Sequence, residues 1–271
     1  MYLVIDIGNS TVVCALAEDD GSIVTTWRFK TAKDAAAAYF VKNISEGLSQ
    51  VAAGRTEFRH VVVSSVVPEL DAILSAAVEE VCGELPHFFT HADASDIMPL
   101  DVESPQKVGN DRVADALGVV ACYKLPAIVF DMGTATTVGV IDAGGVFKGG
   151  MIIPGVKTSL NALSRRASQL PVINVEKPCE LIGRNTLESM QSGIVYGTAA
   201  MLDGLVSRIS DIIGQPATIV ATGGMAQSIV PYCVHDIIYD RHLQFKGILH
   251  AALNREKREN EKREKRNGRM I

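Results

Sequence analysis

The sequence has little of what several common site types require. Its five cysteines (Cys14, Cys82, Cys122, Cys179 and Cys233) are scattered, and no two form a Cys-x-x-Cys pair. Neither a disulfide framework nor a structural zinc is expected, and the thiols should be reduced and mostly buried. No apolar run approaches the roughly 18 residues that a membrane span needs, so none is expected. The chain enters a strand at once, without a basic segment or cleavage site, and a cytoplasmic location is the expectation. No Gly-x-Gly-x-x-Gly opens a helix, which leaves a dinucleotide-binding Rossmann unit unsupported. Gly150-Met-Ile-Ile-Pro-Gly155-Val-Lys157-Thr158 approaches a Walker A loop. It has one residue too many before the lysine, and a proline where the loop would need a donor. Residues 149–155 read instead as a bend entering a helix over 156–167. His87 and His91 are four apart, but the segment from Pro86 to Asp93 reads as strand and loop, which puts them on no common helical face.

Charge is also scarce, at 21% of residues against 47% apolar ones, a globular balance. The net charge of −5 is uneven: residues 255–271 carry 8 Lys/Arg against 4 Glu, a net +4, which leaves −9 on residues 1–254. An acidic body argues against nucleic acid as a ligand. The tail 255–271 alternates signs without an apolar stripe and reads as a solvated, disordered end.

One phosphate-handling turn is written twice. Asp6-Ile-Gly-Asn-Ser-Thr follows the apolar run Tyr2-Leu-Val-Ile5, and Asp131-Met-Gly-Thr-Ala-Thr-Thr follows Ala127-Ile-Val-Phe130. Each is followed by a second apolar run, a bend (Glu18-Asp-Asp-Gly21, Asp142-Ala-Gly-Gly145) and a third run. Both copies read as strand, turn, strand, turn, strand, which predicts a duplicated domain with the two turns facing a common cleft. Gly8 and Gly133 leave no β-carbon to block a phosphate. Backbone N–H groups and the hydroxyls of Ser10, Thr11, Thr134, Thr136 and Thr137 can donate to phosphate oxygens. Asp6 and Asp131, at strand ends, can hold a hard cation directly or through water. Together they read as a nucleotide phosphate clamp.

The first copy continues with a helix over 32–53, a buried strand over 60–67, a helix over 69–82, a short strand over 86–89 and a polar loop over 94–107. Gly109-Asn-Asp111-Arg112 then opens a helix running to about 124. A carboxylate on a first helical turn is kept ionised by the helix dipole. It can accept a hydroxyl proton, and the adjacent arginine can pin an anionic group. Asp115, one turn later, reads as a surface or supporting residue. The second copy adds helices over 156–167 and 185–213 and a strand over 218–221 entering Thr222-Gly223-Gly224, where the glycines would let a flat adenine lie against backbone. A helix follows, then a strand over 236–239 and a helix from 245. Mixed α/β architecture follows, with domains expected at 1–120 and 121–254 and the tail beyond.

In order, Asp6-Ile-Gly-Asn-Ser, Val63-Ser-Ser-Val-Val-Pro68, Val108-Gly-Asn-Asp-Arg112, Asp131-Met-Gly-Thr-Ala-Thr-Thr137, Gly149-Gly…Pro154-Gly155, Gly183-Arg-Asn-Thr186, Met190-Gln-Ser-Gly193 and Ala221-Thr-Gly-Gly224 resemble the type III pantothenate kinases. The resemblance runs from residue 1 to about 253. It implies the acetate kinase, sugar kinase, Hsp70 and actin superfamily, with two ribonuclease-H-like domains. It further implies ATP-dependent phosphorylation of pantothenate to 4′-phosphopantothenate, the first step of coenzyme A synthesis, with Mg2+ and a monovalent cation (K+ or NH4+) and a homodimer without feedback by coenzyme A. Carried across, Asp6, Ile7, Gly8, Asn9, Ser10, Thr11, Val12 and Val13 form the ATP phosphate loop, with magnesium at Asp6. Asp111 is the base, and Gly109, Asn110, Asp111 and Arg112 line the substrate, with Arg112 near its carboxylate. Asp131 holds the monovalent cation, Thr134 contacts ATP and Thr186 touches pantothenate.

Three positions depart from the family pattern. Asn110 replaces an alanine, Ser10 a threonine, and Val102, in Asp101-Val-Glu-Ser-Pro105, replaces a substrate-facing tyrosine. Two other readings therefore stay open: a kinase of the same superfamily for another small hydroxyl acid, and a catalytically silent ATP-binding regulator.

Overall fold

The structure is a computed structural model that describes residues 1–51 and 58–267. It divides into two compact units, one of Met1–Met98, Ser104–Ala121 and Gln244–Ile271, the other of Pro99–Glu103 and Cys122–Leu243.

In the first unit the apolar runs become β1 (Tyr2–Ile7), β2 (Thr11–Ala17) and β3 (Ile23–Lys30), followed by α1 (Ala37–Val51), β4 (His60–Ser65), α2 (Asp71–Cys82) and β5 (His87–Phe88). The sheet order is β3-β2-β1-β4-β5. β2 runs antiparallel to β1, whereas β4 runs parallel to it, as a strand must when it returns through a helical crossover. Alternate residues of β1 (Leu3, Ile5, Ile7) meet Phe40 and Ile44 of α1 and Leu74, Ala77 and Val78 of α2 in one apolar core. Two further helices belong here: α3 (His91–Ala94) and α4 (Asn110–Cys122).

The second unit repeats the plan. β6 (Ala127–Met132), β7 (Ala135–Ile141), β8 (Phe147–Pro154), β9 (Thr218–Thr222) and β10 (Ile238–Tyr239) form a sheet of order β10-β9-β6-β7-β8. Read from its other edge, this is the order of the first sheet, with the same antiparallel and parallel pairings. The helices α5 (Val156–Arg166), α6 (Thr186–Ile213) and α7 (Ala226–Ile229) complete it, and α6 buries Val195, Ala199, Leu202 and Val206 against the sheet.

Four expectations are corrected. The helix expected from residue 32 starts at Ala37, because Thr31 and Lys33 are drawn into bonds with the first Asp-x-Gly turn; its expected end at 52–53 lies outside the described residues. The third run of the second copy, over 146–153, is strand β8 as expected, so the bend read over 149–155 shrinks to Gly155 at the junction with α5. His91 opens a short helix rather than a loop, because the Thr90 hydroxyl and the Asp93 carboxylate cap it reciprocally. Of the tail 255–271 expected to be disordered, residues 255–267 are part of α8 (Leu243–Asn267), which groups with the first unit, and 268–271 lie outside the described residues. Its Lys, Arg and Glu are strong helix formers, and Arg255 pairs with Glu259 one turn on. Glu256, which accepts from Tyr2 Oη at 2.6 Å and pairs with Arg59, and Arg258, which pairs with Asp96, tie the helix down.

Candidate active site

The first turn lies between Ile7 and Val12, the last paired residues of β1 and β2. Gly8 N–H donates to Thr11 O at 3.0 Å, closing it. The segment after β3 braces it from outside: Thr31 N–H donates to Ser10 O (3.1 Å), Thr31 Oγ1 to Gly8 O (2.7 Å) and Lys33 Nζ to Asn9 Oδ1 (3.2 Å). Lys33 also reaches Glu69 Oε1 at 3.2 Å, which puts an ammonium beside a turn suited to phosphate. Gln244 Nε2, from α8, donates to Asp6 Oδ1 at 3.0 Å.

The Gly109–Arg112 constellation is attached to the same sheet end. Ile7 pairs with Ser65 across β1 and β4, and Asn110 Nδ2 donates to Ser65 O at 3.2 Å. The start of α4 is thereby fixed where β1 and β4 end. Asp111 sits on the first turn of α4, where Arg112 N–H donates to its Oδ1 at 2.8 Å. Burial holds the Arg112 guanidinium below its ordinary value, with the Asp111 charge acting in the opposite direction. The planar fork of an arginine guanidinium matches the geometry of a carboxylate.

The second turn is one residue shorter: residues 133–135 separate the last paired residues of β6 and β7, against 8–11 in the first. Gly133 N–H donates to Ala135 O at 3.0 Å, and Thr134 O accepts from Gly155 N–H (3.2 Å) and from Thr158 Oγ1 of α5 (2.7 Å). Asp131 pairs across the sheet with Thr222, and the chain then turns at Gly223, whose φ is +87°. A β-carbon there would stand 2.3 Å from Asp131 Oδ1, so only glycine lets the two turns pack. Gly224 is exposed and has open space where a side chain would be. Thr136, expected among the phosphate donors, is buried at 1% exposure, so its hydroxyl is removed from that role.

Two expected substrate residues also fall in the second unit. Val102 lies in a segment that runs beside the start of β8: Asp101 N–H donates to Phe147 O at 2.9 Å, and Val102 Cγ1 stands 3.5 Å from where a β-carbon on Gly149 would be. Thr186 opens α6 under an Asn185 cap, whose Oδ1 accepts from Glu188 N–H at 2.9 Å. It lines a cavity of about 520 Å³ with Leu160, Leu163 and Leu170 on one side and Met190 and Ile194 on the other.

Among the described residues, no cluster of three or more His, Cys, Asp or Glu is set to hold a metal. His87 Nε2 bonds Asp93 Oδ1 at 2.8 Å. Asp6 remains a hard oxygen donor at a strand end beside donor-rich backbone. That suits a magnesium ion that keeps several waters and takes other ligands from phosphates, so the residues fit the ion.

Residues 2–208 match the family model described as type III pantothenate kinase. The chain belongs to the type III pantothenate kinase family. The type III pantothenate kinase of Brevibacillus brevis is 37% identical over 257 residues, covering 92% of this chain and 96% of the relative. That of Hyphomonas neptunium is 36% identical over 254 residues, covering 92% and 97%. Among solved structures, the activator of the 2-hydroxyisocaproyl-CoA dehydratase from Clostridium difficile, with bound ADPNP, has a TM-score of 0.58 at 16% identity, covering 97% of each chain. Component A of the Acidaminococcus fermentans (R)-2-hydroxyglutaryl-CoA dehydratase has a TM-score of 0.53 at 17% identity, covering 93% of this chain and 96% of that one. At that identity the likeness concerns the fold, two duplicated ribonuclease-H-like units.

Sequence reasoning missed Thr31, Lys33 and Gln244 in this type III pantothenate kinase. Thr31 and Lys33 could have been suspected from their place just past the strand that returns to the turn. Nothing local marks Gln244, which is 238 residues from Asp6.

Proposed function

We propose that this protein transfers the γ-phosphoryl group of ATP to the primary hydroxyl of pantothenate, giving 4′-phosphopantothenate and ADP for coenzyme A synthesis. Family membership across most of the chain carries this reading, since the relatives are named for that reaction. Phosphoryl transfer asks for alignment and charge neutralisation more than covalent chemistry.

Asp111 accepts the hydroxyl proton as the oxygen attacks the γ-phosphorus and the bond to the ADP oxygen breaks. Its support is its place on the first turn of α4, a carboxylate oxygen acceptor beside Arg112 at the helix start. Arg112 meets the pantothenate carboxylate, with Gly109 and Asn110 alongside. The turn from Asp6 to Val13 cradles the ATP phosphates, and Lys33 adds positive charge beside it. Asp6 would hold magnesium, directly or through water, and the ion would supply positive charge against the phosphates. In the second unit Asp131 holds a monovalent cation, Thr134 faces ATP, and the turn at Gly223 and Gly224, open on the Gly224 side, receives the adenine. Intact Asp6, Asp111, Arg112 and Asp131 weigh against a silent regulator.

The protein acts as a homodimer in the cytoplasm. Supporting the dimer, the apolar cavity between α5 and α6 has Leu163 and Leu187 nearby, each 47% exposed, which a second copy would cover. Thr186, on its lining, would then contact pantothenate beside that interface. Val102 removes a tyrosine contact and is expected to weaken pantothenate binding without redirecting the reaction.

The test is ATP consumption by purified protein with pantothenate and magnesium, with and without potassium or ammonium, alongside light scattering for mass. Pantothenate-dependent, cation-stimulated turnover by a dimer is expected. Turnover only with another hydroxyl acid, or ATP binding with no turnover on any, would overturn the reading.

A further inference from the structure

The structure points to Gln244 as a positioning residue for Asp6, and we propose that it aligns the Asp6 carboxylate for the magnesium–ATP complex. This rests on the role given to Asp6 above. Gln244 Nε2 donates to Asp6 Oδ1 at 3.0 Å in a half-buried setting, across 238 residues of chain.

The donor's chemistry suits that task. A carboxylate that binds a metal is commonly oriented by a hydrogen bond from a residue behind it, and loss of such a bond typically costs about 10-fold to 100-fold in metal affinity. The donor here is an amide, which fixes the carboxylate and leaves its negative charge intact. A lysine or arginine in the same place would cancel the charge that a cation needs.

The mounting of Gln244 suits the task as well. It is the second residue of α8, flanked by Leu243, which is fully buried, and Phe245, at 6% exposure, and followed by buried Ile248 and Leu249. One turn on, Gly247 packs directly on α4: a β-carbon there would fall 1.9 Å from Ala114 O and 2.7 Å from Gly118 N. The start of α8, from Gln244 to Gly247, thus packs on α4, whose first turn carries Asp111, while Gln244 reaches Asp6. A flexible side chain placed on a clamped backbone has few ways to lose its partner. The same end of α8 therefore touches both the residue proposed for the metal and the helix proposed to carry the base.

A fluorescent ATP analogue is titrated into wild type, Gln244→Leu, Asp6→Asn and the double variant, each with and without magnesium, with thermal unfolding of the unliganded proteins measured in parallel. Gln244→Leu is expected to weaken binding at least 10-fold with magnesium and to leave binding without magnesium within 2-fold, at a nearly unchanged Tm. The double variant should bind no worse than Asp6→Asn alone, because the two side chains act as one unit. Gln244→Met, which keeps length and removes the donor, should behave as Gln244→Leu and guards against misfolding of the latter. Equal weakening with and without magnesium, or additive losses in the double variant, would overturn the positioning role while sparing Asp6. Normal magnesium-dependent binding by Asp6→Asn would overturn the role of Asp6 and this inference with it.

Discussion

Gly109 stands so close to Asp111 that a β-carbon on it would lie 2.5 Å from Asp111 Oδ1. The atom displaced is the end of a side chain, not backbone, so the fold can absorb the intrusion and the carboxylate cannot. Gly109→Ala should therefore lower kcat by about 100-fold, the usual effect of moving a reacting group by about 1 Å. Thermal unfolding should change little, and an active Gly109→Ala enzyme would show that Asp111 is not positioned for chemistry.

Asp111→Asn removes the proton acceptor and keeps the shape. Turnover should fall by about two to four orders of magnitude, the range of a lost general base. Nucleotide binding by fluorescence titration should be retained, since Asp111 lies outside the 6–13 turn.

Gly223→Ala acts differently, because it meets both a left-handed backbone and the Asp131 carboxylate. A loss of about 1–2 kcal/mol is expected from the backbone alone. Stimulation by potassium or ammonium should fall more steeply than basal turnover. If stimulation survives intact in a folded variant, Asp131 does not hold the cation.

The His87–Asp93 pair predicts a pH dependence in stability. Burial alone would raise the Asp93 carboxyl, but the bonds from His87 and from Thr90 N–H outweigh it and hold it below the ordinary range. A depressed folded value means stability that is fully present above the ordinary carboxylate range and is lost as pH falls through the depressed value. Asp93→Asn should cost about 1–2 kcal/mol at neutral pH, the size of a lost helix cap. Denaturant titrations at falling pH should show the gap between variant and wild type closing.

Much of this molecule could be read from residues near one another in sequence. The runs Tyr2-Leu-Val-Ile and Ala127-Ile-Val-Phe, each ending in Asp-x-Gly, specify matched strands and turns because a buried central strand has to be apolar and its exit has to bend. Asp111 was visible for a similar reason, at a helix start marked by glycine. What escaped notice depends on distance or on competition. Helix α1 starts late because Thr31 and Lys33 have better partners in the phosphate turn than in a helix, and composition cannot reveal those partners. Residues 255–267 have no apolar stripe, yet Glu256 and Arg258 find Tyr2, Arg59 and Asp96, side chains supplied by remote segments. Thr136 looked like a phosphate donor until strand alternation turned it inward.

The return of α8 to the first unit also sets an order of events during synthesis. Residues 1–98 emerge early and can form their sheet, but Gln244 and Gly247 leave the ribosome only after the entire second unit has been translated. The nascent first unit must wait with the flank of α4 uncovered and the Asp6 turn short of a brace. This protein thus acquires its complete Asp6 turn only when α8 docks, so that a product truncated before α8 should fold in part yet stay inert.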